Sequence, residues 1–146
     1  LVSAVSYEGG VVVTNVGDSR AYHITPDGIT RVTKDHSLVQ SMVERGDITA
    51  EEARRHPNRN LITRALGPDA VAQCDGYICP MAAGEFLLLC TDGMVDTVTD
   101  QEMLYEVIRS PLSFSASLWK FVMMSRAARS KPSVFSSVAC RRMVSL

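Results

Sequence analysis

Between Gly84 and Met94 the chain reads Gly-Glu-Phe-Leu-Leu-Leu-Cys-Thr-Asp-Gly-Met, and no other stretch constrains the fold as much. Phe86 to Cys90 is a short unbroken apolar run, the pattern of a strand buried on both faces. The run ends at Thr91, and Asp92 and Gly93 follow at once. A rigid strand that delivers an Asp onto a tight turn presents a hard oxygen ligand to a metal or phosphate with little slack. Glycine after it lets the backbone take a positive φ or approach a ligand closely. Asp-Gly is also a common turn pair, so an ordinary strand-turn-helix junction is the competing reading.

A chain of 146 residues is long enough for one domain with a real core and short for two. Its near-neutral balance hides an asymmetry. All 16 acidic residues lie between Glu8 and Glu106, against nine basic ones through Arg109, a formal −7. From Ser110 to Leu146 there are six basic residues, ten serines and no acid, and Gly93 is the last glycine. Residues 1–109 and 110–146 therefore read as different units. The four cysteines lack metal-ligand spacing, and Cys90 reads as a small buried thiol. No secretory signal opens the chain and no apolar run is long enough to span a bilayer. The expectation is a reducing, cytoplasmic setting with no membrane partner. The tail's basic residues are scattered, which favours solvation over nucleic-acid contact.

In chain order, Val2 to Tyr7 and Val11 to Val16 are β-rich runs around Gly9-Gly10, which predicts a hairpin. A sharp turn at Gly17-Asp18 leads to a strand through Ile24, and Thr25-Pro26-Asp27-Gly28 turns it into Ile29 to Val32. The opening is predicted to be an antiparallel meander. Ser37 caps a short helix with Leu38, Val39, Met42 and Val43 on its apolar face, stopped at Gly46. Thr49-Ala50-Glu51-Glu52 is a capping box that starts a second short helix, through about Arg55. These two charged helices read as a surface insertion. Leu61 to Leu66 and Asp75 to Cys79 are further strand candidates. Thr99-Asp100-Gln101-Glu102 is a second capping box, and Met103, Leu104, Val107 and Ile108 form one helical stripe. Beyond Ser110 the pattern dissolves and no structure is assigned.

Four segments in this order, Asn15-Val16-Gly17-Asp18-Ser19-Arg20, Lys34-Asp35-His36-Ser37, Ile62-Thr63-Arg64-Ala65-Leu66-Gly67 and Leu89-Cys90-Thr91-Asp92-Gly93-Met94, resemble the successive motifs of the metal-dependent protein serine/threonine phosphatases of type 2C (the PPM family). The segment Leu38 to Asn60 resembles the helical flap of the bacterial members. What the resemblance implies is an α+β fold, a central β-sandwich with flanking helices in α/β/β/α layers, incomplete here at both ends. The partial phosphatase domain would be 1–109, with 37–60 as the flap. Two divalent cations, Mg²⁺ or Mn²⁺, would acidify a bridging water and neutralise phosphoryl charge. Substrates would be phosphoserine or phosphothreonine proteins, with a protein kinase as the opposing enzyme.

Carried over by position, Asp92 matches a metal ligand, and Asp18 a carboxylate that bacterial relatives direct toward a third, weaker cation. Arg64, Asn60 and His36 are candidate substrate or phosphate contacts, each with a structural or solvated alternative, and no residue is assigned as catalytic. Two departures stand beside these matches. The family's phosphate-gripping Arg and bridging Asp-Gly have no counterpart upstream of Asp18, and its final Gly-rich Asp-Asn motif has none after Ile108. The tail resembles the product of a shifted reading frame or a replaced terminus. Asp18 and Asp92 alone leave most of the charge of two cations uncompensated, so the isolated chain is expected to have negligible turnover. The alternative is a non-catalytic remnant that binds a phosphoprotein or partner.

Overall fold

A computed structural model describes residues 1–68 and 70–109, and the backbone of 123–126 and 134–135. Its framework is two four-stranded antiparallel sheets packed face to face. β1 (Val2–Tyr7) and β2 (Gly10–Asn15) form the predicted hairpin, in register from Val2 opposite Asn15 to Tyr7 opposite Gly10. β3 (Arg20–Thr25) and β4 (Gly28–Arg31) form a second hairpin around Pro26-Asp27. The two hairpins lie in different sheets, so the opening is not a single meander. The chain crosses from one layer to the other at Val16 to Ser19, because Val11, Val13 and Ala21 must all reach the core between the sheets.

β5 (Asp75–Pro80) pairs with β2, and β6 (Phe86–Cys90) pairs with β3. The remaining edges are taken by β7 (Met123–Arg126) beside β6 and by β8 (Val134–Phe135) beside β1. These two strands fall in the tail, where the side-chain pattern gave no assignment; a backbone ladder needs no alternation to form. The rest of 110–146, including its proposed origin, lies outside the described residues. We call β5-β2-β1-β8 the first sheet and β4-β3-β6-β7 the second.

The second sheet is covered on both sides. Ala21 and Leu87 face the first sheet together with Ala4, Val11, Val13 and Cys79. Tyr22, Ile24, Leu88 and Cys90 face the other way, onto Met94, Met103 and Val107. The Phe86–Cys90 run is thus buried on both faces, as its composition requires. Burial pushes the Cys90 thiol up to about 11, the behaviour of an inert core cysteine. The covering helices are α3 (Asp92–Val95) and α4 (Asp100–Arg109). α4 is started by the predicted capping box: Thr99 Oγ1 accepts from the Glu102 amide at 3.3 Å, and Glu102 accepts from the Thr99 amide at 2.8 Å.

α1 (Leu38–Arg45) and α2 (Ala50–Arg55) form the insertion. Ser37 caps α1 through the Gln40 amide, and Gly46 ends it in the left-handed conformation (φ 79°). α1 buries only Val39 and α2 buries nothing, so this segment is a surface flap. Its neck is closed by backbone bonds from Leu38 N–H to Leu61 O (2.9 Å) and from Thr63 N–H to His36 O (2.7 Å). Leu61 to Leu66 does not form the predicted strand. Ile62 makes one bridge to Ser37, and the segment otherwise follows the flap's neck as irregular chain.

Candidate active site

The second sheet's register sets the site. Arg20 lies directly opposite Cys90. Asp18 stands two residues before Arg20 and Asp92 two after Cys90, so both leave the same end of the antiparallel pair, just beyond its last paired residues. Both carboxylates line a cleft of about 550 Å³ between the flap and the segment that joins α3 to α4. Burial pushes the Asp18 carboxyl above its ordinary value, and the nearby charges of Asp92 and Asp35 push the same way. A carboxylate whose charge is opposed both by burial and by neighbouring carboxylates in a cleft is a group that a cation would favour.

Of the two readings of the Gly84 to Met94 stretch, the strand-turn-helix junction is the one the structure adopts. Asp92 begins α3, with Thr91 extended before it, and Gly93 lies inside that helical turn rather than at a positive φ. At this end of the second sheet it is Gly17 that takes a positive φ, 105°, where a side chain would be strained. It lets the chain turn sharply between the sheets and carry Asp18 to the cleft.

Behind the carboxylates sits an ion network. Asp35, with 8% of its side chain exposed, takes Arg20 in a fork, Nε to Oδ1 at 3.0 Å and Nη2 to Oδ2 at 2.6 Å. Arg31 Nη2 approaches the same carboxylate at 2.8 Å, and Arg31 Nε donates to Thr33 O at 2.6 Å. Burial works against the charge on Arg20, yet the bonds to Asp35 outweigh it and hold that guanidinium above its ordinary pKa. For Arg31 burial prevails and the shift is downward. Two guanidiniums on one carboxylate leave a net positive floor under the acidic mouth, which Asp96 and Asp100 extend.

Of the candidates from sequence, the structure brings Asp18, Asp92 and Asn60 to one cleft. Arg64 is not among its lining residues; its Nη1 donates to Asp75 at 2.9 Å. His36 is only 6% exposed and lies beneath the Gly17 turn, closed off from a substrate. Sequence reasoning missed Arg20, Arg31 and Asp35. Arg20 and Asp35 each sit inside a quoted motif, and that pairing of opposite charges was the available signal.

The solved serine/threonine phosphatase Stp1 from Staphylococcus aureus superposes with a TM-score of 0.69 at 39% identity, over 78% of this chain and 44% of that one. The serine/threonine phosphatase stp of Listeria innocua is 37% identical over 122 residues, 84% of this chain and 48% of its own length. The chain is homologous to part of the type 2C (PPM) protein phosphatases. It spans about half the length of the curated relatives it matches. No protein-family model matches it. The type 2C family depends on Mg²⁺ or Mn²⁺. The PstP catalytic domain, solved in complex with two manganese ions, aligns at a TM-score of 0.57 and 34% identity, over 73% of this chain and 44% of that one.

The residues present meet that requirement in part. A hard divalent ion takes about six oxygen ligands, and the described residues contain no group of three or more His, Cys, Asp or Glu placed to hold a metal. Asp18 and Asp92 supply a two-carboxylate corner. They do not make a two-cation centre.

Proposed function

We propose that this chain carries the Asp18/Asp92 portion of a metal-dependent protein serine/threonine phosphatase site. The observation that carries the reading is the pairing of β3 with β6, from the same end of which Asp18 and Asp92 reach one cleft walled by the flap. The relatives are named as serine/threonine phosphatases, so the substrates are phosphoproteins, specifically those bearing phosphoserine or phosphothreonine, and a protein kinase is the opposing activity. Among the described residues no helix is long and apolar enough to cross a membrane, and we assign the chain to the cytoplasm. Within the cleft, Asp18 and Asp92 hold negative charge toward a cation, the Arg20-Asp35-Arg31 network fixes the floor, and Asn60 faces the substrate side.

Calorimetric titration with Mn²⁺ tests the reading. Uptake by the chain that disappears in Asp92→Ala supports it, whereas no uptake by the unaltered chain removes it. Because a two-carboxylate corner leaves two cations under-neutralised, turnover of p-nitrophenyl phosphate with Mn²⁺ should stay at background. Turnover like that of an intact enzyme, abolished by Asp92→Ala, would overturn that expectation. The absence of a three-ligand cluster among the described residues favours one second reading, a non-catalytic module that binds a phosphoprotein through the flap. It expects phosphopeptide binding that Mn²⁺ does not change.

A further inference from the structure

We propose that His36 is a positioning residue that clasps the neck of the flap to the turn carrying Asp18. The inference rests on the reading of Asp18 as a cation-facing carboxylate, and its test reads hydrogen bonds that do not depend on a metal. As the chain leaves β2, the Gly17 amide has no strand partner; it donates instead to His36 Nδ1 at 3.1 Å. His36 returns the contact through its backbone, N–H to Gly17 O at 2.9 Å. Asn15 Nδ2 adds a second donor to Gly17 O at 3.2 Å and also reaches Lys34 O at 3.0 Å. The turn is therefore held on both its donor and acceptor sides by buried groups.

An Nδ1 that accepts from a backbone N–H is unprotonated, which puts the ring proton on Nε2. Nε2 then donates to Asp75 Oδ2 at 3.1 Å. Asp75 Oδ1 accepts from Arg64 Nη1 at 2.9 Å, and Arg64 follows the flap's neck. That hydrogen bond from His36 holds the Asp75 carboxyl below its ordinary range. The backbone of His36 is itself part of the neck, through Thr63 N–H to His36 O at 2.7 Å and the bridge of Ser37 to Ile62. One residue thus touches the Asp18 turn with its ring and the flap base with its backbone. Displacing the flap's base displaces the support of that carboxylate.

The test separates this role from simple filling of space. In long-range ¹⁵N–¹H spectra of the full chain the His36 ring should show the Nε2–H tautomer. Replacing it by His36→Asn keeps an acceptor near the Nδ1 position, whereas His36→Phe keeps the volume without one. Loss of one such bond should speed Gly17 amide exchange about fivefold to tenfold in His36→Phe, with Thr63 following, while His36→Asn stays near the wild-type rate. Leu88 exchange, deep in the second sheet, reports that each variant is folded. An Nδ1–H tautomer, or a Gly17 amide as protected in His36→Phe as in wild type, would overturn the proposal. Failure of Mn²⁺ uptake would instead remove the function assigned to Asp18 and leave this result standing.

Discussion

The two sheets share one core and differ on their outer faces. On the second sheet, Tyr22, Ile24, Leu88 and Cys90 are sealed beneath Met94, Met103 and Val107. On the first, the register places Val5 beside Val12 and Val12 beside Ile78 in one outward row. Val12 is 38% exposed and Ile78 75%. Strand sequence is similar in both sheets, since each alternates or runs apolar, so β-propensity does not explain the contrast. What differs is the next element in the chain. β6 runs straight into α3 and α4, which fold back over its own sheet, whereas no helix among the described residues returns over the first sheet. A strand acquires a second buried face only when a neighbouring element supplies the apolar stripe to cover it.

The largest expected effect follows from that contrast. Met103 is fully buried between α4 and the second sheet, and Met103→Ala should cost about 2–5 kcal/mol through lost contacts and the cavity left behind. Ile78→Ala, on the bare face, should change stability by no more than about 0.5 kcal/mol. Urea denaturation of both variants measures the difference. Equal costs would mean that the first sheet's outer row is covered in solution, and the comparison would fail.

A second, smaller effect sharpens it at the helix termini. Thr49 and Thr99 open equivalent capping boxes, each with a Glu three residues on. Thr99→Ala should cost about 1 kcal/mol of global stability, because α4 is packed onto the second sheet. α2 buries no residue, so Thr49→Ala should shift the global transition by less than about 0.5 kcal/mol and appear as faster amide exchange within 50–55. If both variants shifted the global midpoint equally, the flap would be part of the cooperative core rather than an appendage to it.

These contrasts also show what the sequence made legible. Phe86 to Cys90 announced a strand with two buried faces because no polar residue interrupts it. Both capping boxes announced their helices because the chemistry is local. The motifs around Asp18 and Asp92 were legible by resemblance, and the pairing of β3 with β6 brings both residues to one end of the second sheet and one cleft. The sheet crossing at Val16 to Ser19 was not legible, since a hairpin-rich opening satisfies strand patterning equally well in one sheet or two. Ile62 and its neighbours look like strand by composition, yet the chain there is committed to the flap's neck and pairs at one point. The Arg20-Asp35-Arg31 network and the clasp at His36 join residues from separate loops, and residue types alone do not reveal such distances.

The crossing turn differs from the strands it joins. Strand residues at this end of the sandwich gain by burial, whereas Asp18 is placed there at a cost. Burial raises its carboxyl above the ordinary carboxyl value of 3.8, with Asp92 and Asp35 adding repulsion. A carboxyl with a raised folded-state pKa is more easily protonated in the native chain than in the unfolded one. Its ionisation therefore lowers stability as pH climbs from the unfolded value through the folded one, and the deficit persists at neutral pH. Asp18→Asn removes the charge and keeps the shape. In chelator-treated protein at pH 7 it should raise the urea midpoint by a small amount, and the gain should vanish below pH 3.8, where wild type is protonated in both states. With Mn²⁺ added, the order should narrow or reverse, because a cation favours the ionised wild-type carboxylate and not the amide. A destabilising Asp18→Asn at pH 7 without metal would show that the turn uses the carboxylate as a structural acceptor. The position would then be explained by folding alone.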